Sequence, residues 1–148
     1  MDTTYVECPK CGSCAISRLV AEGKTDTECD WFAPRRLACS SCGYNSEWSS
    51  RQVLRQCQSA KDDYFGLPLW LQASCCGEVL WAYNERHLNL IEDIVGAVLR
   101  ERTRDEEYGW SNQSLISRLP AWIKAKKNRK KVLDTISRLK SERLALVV

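Results

Sequence analysis

The segments Cys8-Pro-Lys-Cys11-Gly12 and Cys39-Ser-Ser-Cys42-Gly43 decide the fold of this 148-residue chain. Both have the pattern Cys-x-x-Cys-Gly, and 27 residues lie between Cys11 and Cys39. Two cysteines at this spacing can bind one ion if the chain turns tightly, and the glycine that follows permits the backbone angle of that turn. Two matched pairs therefore predict one closed, tetrahedral Zn²⁺ site of four thiolates, which is a structural site with no open position for a substrate.

The remaining cysteines do not fit this pattern. The chain has nine cysteines, an odd number, so they cannot all pair within one molecule. Cys14 forms an overlapping Cys-x-x-Cys pair with Cys11 but has no following glycine, and Cys29 has no partner at that spacing. The sequence therefore predicts that the four zinc ligands are Cys8, Cys11, Cys39 and Cys42. Cys14 and Cys29 are not expected to bind the ion.

No targeting or membrane segment is visible in the sequence. The start of the chain lacks a basic region followed by an apolar one, and no window approaches about 18 consecutive apolar residues. These features predict a cytoplasmic protein in a reducing compartment, where spaced cysteines are metal ligands more often than disulfides.

The order of predicted elements indicates an α+β protein. Residues 15–20 and 31–38 have the character of short strands, and two apolar and aromatic runs at 67–74 and 78–83 predict a β-hairpin. The expected arrangement is an N-terminal antiparallel zinc ribbon with a β-hairpin, followed by a C-terminal helical region. The ribbon would occupy residues 1–50 and the hairpin with the helical basic tail 64–148, either as two units or as one continuous domain.

Helical periodicity begins after the hairpin. Asn84 is suited to cap a first helix, Pro120 to begin a short one after a helical stretch at 114–119, and Asn128 to cap the last. The apolar stripe of the first helix is predicted to contain Leu88, Ile91, Ile94, Val95, Val98 and Leu99. The stripe of the last helix is predicted to contain Val132, Leu133, Ile136, Leu139 and Leu144.

Two adjacent cysteines, Cys75 and Cys76, stand at the predicted hairpin turn. They could contribute to a second metal site with Cys57 and His87, or form a redox dithiol. Because adjacent residues of a strand point to opposite faces, the sequence favours one cysteine packed in the core and the other near the turn.

The hairpin also carries aromatic side chains. Alternation places Trp81 and Tyr83 on one face, with Leu80 and Ala82 on the other. Such a face could stack bases, but packing against the following helix is the favoured interpretation. His87 is interpreted as a capping or packing residue rather than a catalyst.

Positive charge is concentrated at the end of the chain. Residues 1–117 contain 12 basic and 17 acidic residues, whereas 118–148 contain 10 basic and 2 acidic ones. A cluster dense enough to contact a phosphate backbone consists of Lys124, Lys126, Lys127, Arg129, Lys130 and Lys131, and Trp122 beside it could stack or insert. The alternatives are a solvated helix face or a tail that docks on the acidic part of the chain.

The two cysteine motifs resemble the zinc ribbon of the general transcription factor TFIIB. The segments at 65–84, 114–124 and 127–133 are similar to those of bacterial proteins known only for containing that ribbon. The resemblance spans nearly the whole chain. It implies a zinc-stabilised binding protein and leaves the partner open.

These patterns favour a nucleic-acid-binding protein that contacts DNA or RNA through its basic tail. The alternative is an adaptor that docks a partner protein through the ribbon and the aromatic hairpin. An enzyme is not expected, because the adjacent acidic pairs lie in polar stretches and no glycine-rich phosphate loop or nucleophile elbow is present. We likewise expect neither a small-molecule substrate nor a membrane partner.

Overall fold

A computed structural model describes residues 3–20, 33–49, 60–96 and 119–147 and shows an α+β fold. The N-terminal part is a four-stranded antiparallel sheet in which the strands follow their order in the chain. The strands are β1 (Thr3–Glu7), β2 (Cys14–Leu19), β3 (Arg35–Ala38) and β4 (Asn45–Trp48). The predicted fold class is thereby confirmed.

The register of this sheet places small and branched side chains on one buried face. Val6 lies opposite Ala15, and Ser17 lies opposite Leu37, so all four share that face. Val6, Ala15 and Leu37 are at most 1% exposed. The strand predicted at 15–20 is β2. The strand predicted at 31–38 is observed at Arg35–Ala38, and residues 31 and 32 lie outside the described residues.

The predicted hairpin is also observed. Its strands are β5 (Leu71–Cys75) and β6 (Glu78–Ala82), which pair antiparallel around the turn Cys76-Gly77. Both turn residues have positive φ, 56° and 77°, as in the two-residue turns whose twist matches that of the flanking strands. Leu80 and Ala82 are completely buried on the face predicted for them.

The residues on either side of the hairpin strands cover the outer edge of β1. The amide of Trp70 donates to the carbonyl of Tyr5 at 2.9 Å, and the amide of Tyr5 donates to the carbonyl of Tyr83 at 2.7 Å. One further bond runs from the Glu7 amide to the Pro68 carbonyl at 2.9 Å. The hairpin forms its own sheet, and these bonds join it to the ribbon sheet.

The described residues contain three α-helices: α1 (Glu85–Gly96), α2 (Ala121–Lys124) and α3 (Arg129–Glu142). α1 packs on β6 and α3 on β5, while α2 packs on α3. Asn84 caps α1 as predicted, because its Oδ1 accepts a hydrogen bond from the His87 amide at 2.9 Å. A shared core contains residues of β5, β6 and all three helices, including Leu71, Leu80, Leu88, Ile91, Val95, Ile123, Val132, Ile136 and Leu139.

The helix stripes agree with the pattern of the sequence wherever they are described. Leu88, Ile91 and Val95 of α1 are buried and Ile94 is half-buried, whereas Val98 and Leu99 lie outside the described residues. On α3, Val132, Ile136 and Leu139 are buried and Leu133 is half-buried. Leu144, which was predicted for the same stripe, is half-buried but lies beyond the end of α3 in a 3₁₀ turn at Leu144–Leu146. Of the stretch predicted to be helical at 114–119, only residue 119 is described.

Two predicted helix starts need correction. α2 begins at Ala121, so that Pro120 immediately precedes the helix instead of being its first residue. Asn128 precedes α3 but does not cap it with its side chain. Its amide Nδ2 donates to the carbonyl of Trp122 at 2.9 Å. A short 3₁₀ turn at Lys126–Asn128 leads directly into α3 and gives Asn128 a helical backbone, unlike the extended backbone of a capping residue.

Within the described ranges, no helix has both the length and the apolar character required to cross a membrane.

Candidate metal centre

Four thiols from the two turns of the ribbon meet at one point. The sulfur atoms of Cys8, Cys11, Cys39 and Cys42 all lie within 4.8 Å of one another. Sγ of Cys8 is 3.6 Å from Sγ of Cys42, and Sγ of Cys11 is 3.6 Å from Sγ of Cys39. Tetrahedral zinc with Zn–S bonds of about 2.3 Å places its sulfur ligands about 3.8 Å apart. The predicted ligand set is thus brought together at a spacing that fits one metal ion.

The two cysteine turns, called knuckles here (residues 8–13 and 39–44), have the same backbone geometry. In each, the amide of the first cysteine donates to the carbonyl five residues later, and the glycine amide donates back to the carbonyl of the first cysteine. These bonds are Cys8 to Ser13 (2.8 Å), Gly12 to Cys8 (2.9 Å), Cys39 to Tyr44 (2.8 Å) and Gly43 to Cys39 (3.0 Å).

Both knuckle glycines have a φ of 73°, which L-residues rarely adopt. This agrees with the reason for which the sequence requires glycine after the second cysteine. The supporting carbonyls of Ser13 and Tyr44 were not predicted. Their signal in the sequence is only their position, one residue after each glycine, because any residue type supplies the same carbonyl.

Burial divides the four ligands into two pairs. Cys8 and Cys39 are each 3% exposed and pack with Val6, Leu37 and Leu69 in the ribbon core. Cys11 is exposed and Cys42 is half-buried. The first cysteine of each knuckle is therefore anchored in the core, while the second lies towards solvent.

The electrostatics of the cluster favour a bound cation. A hydrogen bond from the Ser13 backbone lowers the pKa of Cys11 to about 6. The Tyr44 backbone also favours the thiolate of Cys42, yet burial and hydrogen bonds with Cys11, Cys8 and Cys39 raise the pKa of Cys42 to about 12. Four sulfurs this close cannot all be anionic without compensation, and a divalent cation supplies it.

Cys14 lies outside this group. Its side chain belongs to the other core, which contains the hairpin and the helices, and its thiol donates to the Ala15 carbonyl at 3.9 Å. Burial, followed by the charge of Cys39, raises the pKa of Cys14 to about 12, which keeps it a neutral thiol. Cys29 lies outside the described residues.

The second metal site considered at the hairpin is not assembled by the described residues. Among them, no further group of three or more metal-ligating side chains exists besides the four ribbon cysteines, and Cys57 is not described. Nδ1 of His87 instead accepts a hydrogen bond from the Tyr83 amide at 3.2 Å. Burial lowers the pKa of His87 to about 4, so the imidazole is neutral at pH 7.

The vicinal cysteines differ from the expectation in one respect. Cys75 is buried and Cys76 is half-buried at the turn, as favoured from the sequence. Their thiols do not point to opposite faces, however, because the two sulfur atoms are 3.5 Å apart. Strand alternation ends at Cys75, and Cys76 has the positive φ of the turn.

The hairpin aromatics are packing residues. Trp81 and Tyr83 are half-buried against the ribbon core, and their ring centroids are 5.2 Å apart in an edge-on arrangement. The ring of Tyr83 also stacks on His87 of α1 at 5.3 Å. Contact with the following helix is the interpretation favoured from the sequence, and Tyr83 makes that contact through His87.

The basic cluster is only partly exposed. Arg129 is half-buried, with Nη2 bound to the carbonyl of Gly96 at 2.8 Å, and Trp122 packs against the core of the hairpin and helices. Five side chains remain exposed, and none of them forms an ion pair with a residue that the structure describes. We call these five the basic surface: Lys124, Lys126, Lys127, Lys130 and Lys131.

The chain was also compared with known protein families, curated proteins and solved structures. No family model, curated protein or solved structure matches the chain. The capacity to hold a metal is therefore supported by the distances, burial and hydrogen bonds of the four cysteines themselves.

Proposed function

We propose that this chain is a zinc-stabilised nucleic-acid-binding protein related to the TFIIB-type zinc ribbons. One structural Zn²⁺ would be held by Cys8, Cys11, Cys39 and Cys42, and the basic surface would contact phosphates of DNA or RNA. The observation that carries the nucleic-acid role is the group of five exposed lysines without acidic partners among the described residues.

Zinc is the ion that suits this donor set best. Four thiolates in a closed tetrahedral arrangement are typical of structural zinc, and leave no position for a reacting water. The ion would clamp the β1–β2 turn to the β3–β4 turn, and two of its ligands, Cys8 and Cys39, belong to the buried ribbon core. Its thiols must remain reduced, so we place the protein in a reducing compartment such as the cytoplasm.

The position of the lysines on the fold supports an anionic partner. Lys130 and Lys131 lie in the first turn of α3, and this turn contains no acidic residue. Because the amino end of a helix carries a partial positive charge, cations there are unfavourable unless an anion is nearby. Phosphates at this end of α3 would relieve that repulsion. Such contacts set position and affinity, and they do not by themselves read sequence.

A salt series tests the role of the basic surface. If its five lysines each neutralise one phosphate of duplex DNA, the logarithm of the binding constant falls with a slope of about −4.5 against the logarithm of salt. Affinity should then drop about 500-fold between 50 and 200 mM salt. Replacing all five lysines by glutamine should abolish this dependence, and single-stranded RNA should be measured in parallel.

A matched control uses exposed basic residues elsewhere on the fold, Lys61 and Arg86. Changing both to glutamine should leave most of the salt slope intact. The nucleic-acid role is wrong if the wild-type protein, loaded with zinc, does not bind at low salt. If the control variant loses as much affinity as the five-lysine variant, the assignment of the contact to the basic surface is wrong.

A protein-interaction adaptor is the second candidate. The half-buried residues Ile16, Leu19 and Val20 line a groove of the ribbon sheet beside Arg18 and Arg36. This surface, rather than the inward-packed aromatics of the hairpin, is the one that a partner protein would contact. The adaptor is favoured if the salt series shows no binding while Zn²⁺ is bound at one ion per chain.

A further inference from the structure

The turn Cys75-Cys76-Gly77 has chemistry that neither the metal centre nor the basic surface uses. The two sulfur atoms are 3.5 Å apart. Cys75 is 7% exposed at the end of β5, whereas Cys76 is half-buried and followed by the exposed Gly77. The pair is thus anchored on one side and open to solvent on the other.

The backbone at this turn is unusual for a cysteine. Among the described residues, Cys76 is the one non-glycine residue with a positive φ, at 56°. A two-residue turn of this kind favours Asn-Gly, because asparagine tolerates the left-handed region better than most residues. Cysteine is therefore placed where the backbone disfavours it. The consequence of this conformation is that both thiols lie on the same side.

The distance between the two sulfur atoms suits their binding to one shared atom with a bent S–atom–S angle. It is close to the 3.6 Å between paired sulfurs of the ribbon cluster. With bonds of about 2.3 Å, sulfurs 3.5 Å apart subtend an angle of about 100° at a shared atom. A linear two-coordinate ion would need the sulfurs about 4.6 Å apart. The geometry thus favours a pyramidal or tetrahedral centre.

The surrounding charges help the pair to exchange protons for such a centre. Burial, together with Cys75, raises the pKa of Cys76, while Lys131 and Lys127 oppose that rise. Cys76 is therefore a weaker acid than an ordinary cysteine and keeps its proton in the free protein. The ammonium groups of Lys131 and Lys127 favour the thiolate of Cys76, which is the form that attacks a soft centre.

We propose that Cys75 and Cys76 form a two-sulfur binding site for a soft, thiophilic centre of bent geometry, such as trivalent arsenic. With phenylarsine oxide, two As–S bonds form and the bonds between arsenic and its oxo oxygen break. The two thiol protons leave with that oxygen as one water molecule. No atom changes oxidation state, so no oxidant or reductant is required.

The test uses the full chain loaded with zinc, in a phosphine reductant, and phenylarsine oxide as the probe. Native mass spectrometry should show one arsenical per chain with the zinc retained. Cys76→Asn places the residue preferred at this turn, so its thermal unfolding should occur no lower than in the wild type. It should weaken arsenical binding at least about 100-fold, since the second sulfur of a chelating pair is lost.

Two further variants keep the result decisive. Cys76→Ser should lose binding in the same way, and Cys14→Ala, which removes a buried thiol outside the site, should bind like the wild type. The proposal is overturned if Cys76→Asn binds as tightly as the wild type, or if the wild type forms no adduct. Release of zinc in step with arsenical uptake would place the reaction at the ribbon and overturn it as well.

Discussion

Replacing Cys39 by serine tests the metal centre most directly. Cys39 is 3% exposed, and its Sγ lies 3.6 Å from that of Cys11. A serine hydroxyl is a hard, protonated donor at neutral pH, so it replaces a soft thiolate poorly. The surrounding core side chains remain in place, and the change is therefore confined mainly to one ligand.

The magnitude follows from the number of ligands. Structural zinc contributes about 10–16 kcal/mol in small modules, so one ligand of four accounts for about 2.5–4 kcal/mol. Cys39→Ser should weaken zinc binding about 10²–10³-fold. Because a whole domain is stable by only about 5–15 kcal/mol, loss of the ion should unfold the ribbon strands at low zinc concentration.

Competition with a chromophoric chelator measures the zinc affinity, and circular dichroism measures unfolding with and without chelator. Cys14→Ala is the matched control, because Cys14 is also a buried ribbon cysteine but faces the other core. It should keep the wild-type zinc affinity. If Cys39→Ser binds zinc as tightly as the wild type, or if Cys14→Ala loses zinc to the same extent, the assignment of the ligands is wrong.

Three further predictions concern packing and backbone. Burial lowers the pKa of His87 from 6.5 to about 4. Between these pH values the unfolded chain therefore binds more protons than the folded chain. About 3 kcal/mol of the folding stability that is present above pH 6.5 should be lost as the pH falls to about 4. Unfolding of His87→Gln in denaturant should lack this component, and an unchanged pH profile would contradict it. Trp70→Phe removes the Nε1 donation to the Arg143 carbonyl at 3.0 Å and weakens the contact with the guanidinium 4.6 Å from the ring. The free energy of unfolding measured in denaturant should therefore fall by about 1–2 kcal/mol, and an unchanged value would refute that role. Gly43→Ala meets no atom within 4 Å but keeps a φ of 73°, so thermal unfolding should show a loss of about 1–2 kcal/mol, and a much larger loss would indicate a steric cause.

The features that were predicted correctly depend on short stretches of sequence. The spacing within each knuckle identifies Cys8, Cys11, Cys39 and Cys42, because a tight turn brings each pair of thiols to one side without help from the rest of the chain. Asn84 caps α1 through a bond to an amide only three residues away. Interactions between residues only a few positions apart can be recognised in the sequence from their spacing and residue types.

Two predictions failed where the local conformation of the chain differs from the one assumed from the sequence. Asn128 has the residue type of a helix cap, yet the Trp122 carbonyl takes its side chain, because the 3₁₀ turn brings that carbonyl within 2.9 Å. The opposite faces expected for Cys75 and Cys76 assumed that both belong to a strand. Only Cys75 does, since Cys76 is the first turn residue with a positive φ, and this conformation places the two thiols on the same side.

The sequence by itself determined the fold class, the grouping of the four knuckle cysteines, the hairpin and the described part of the buried helix stripes, since each follows from local spacing or periodicity. The tertiary structure alone decided that residues on either side of the hairpin strands cover the edge of β1. It also decided that Arg129 binds the Gly96 carbonyl and that Trp122 packs against the core, so that neither belongs to the basic surface. These arrangements join residues far apart in the chain. They depend on which surfaces fit and which backbone groups remain unpaired after local structure has formed, and no spacing in the sequence records that.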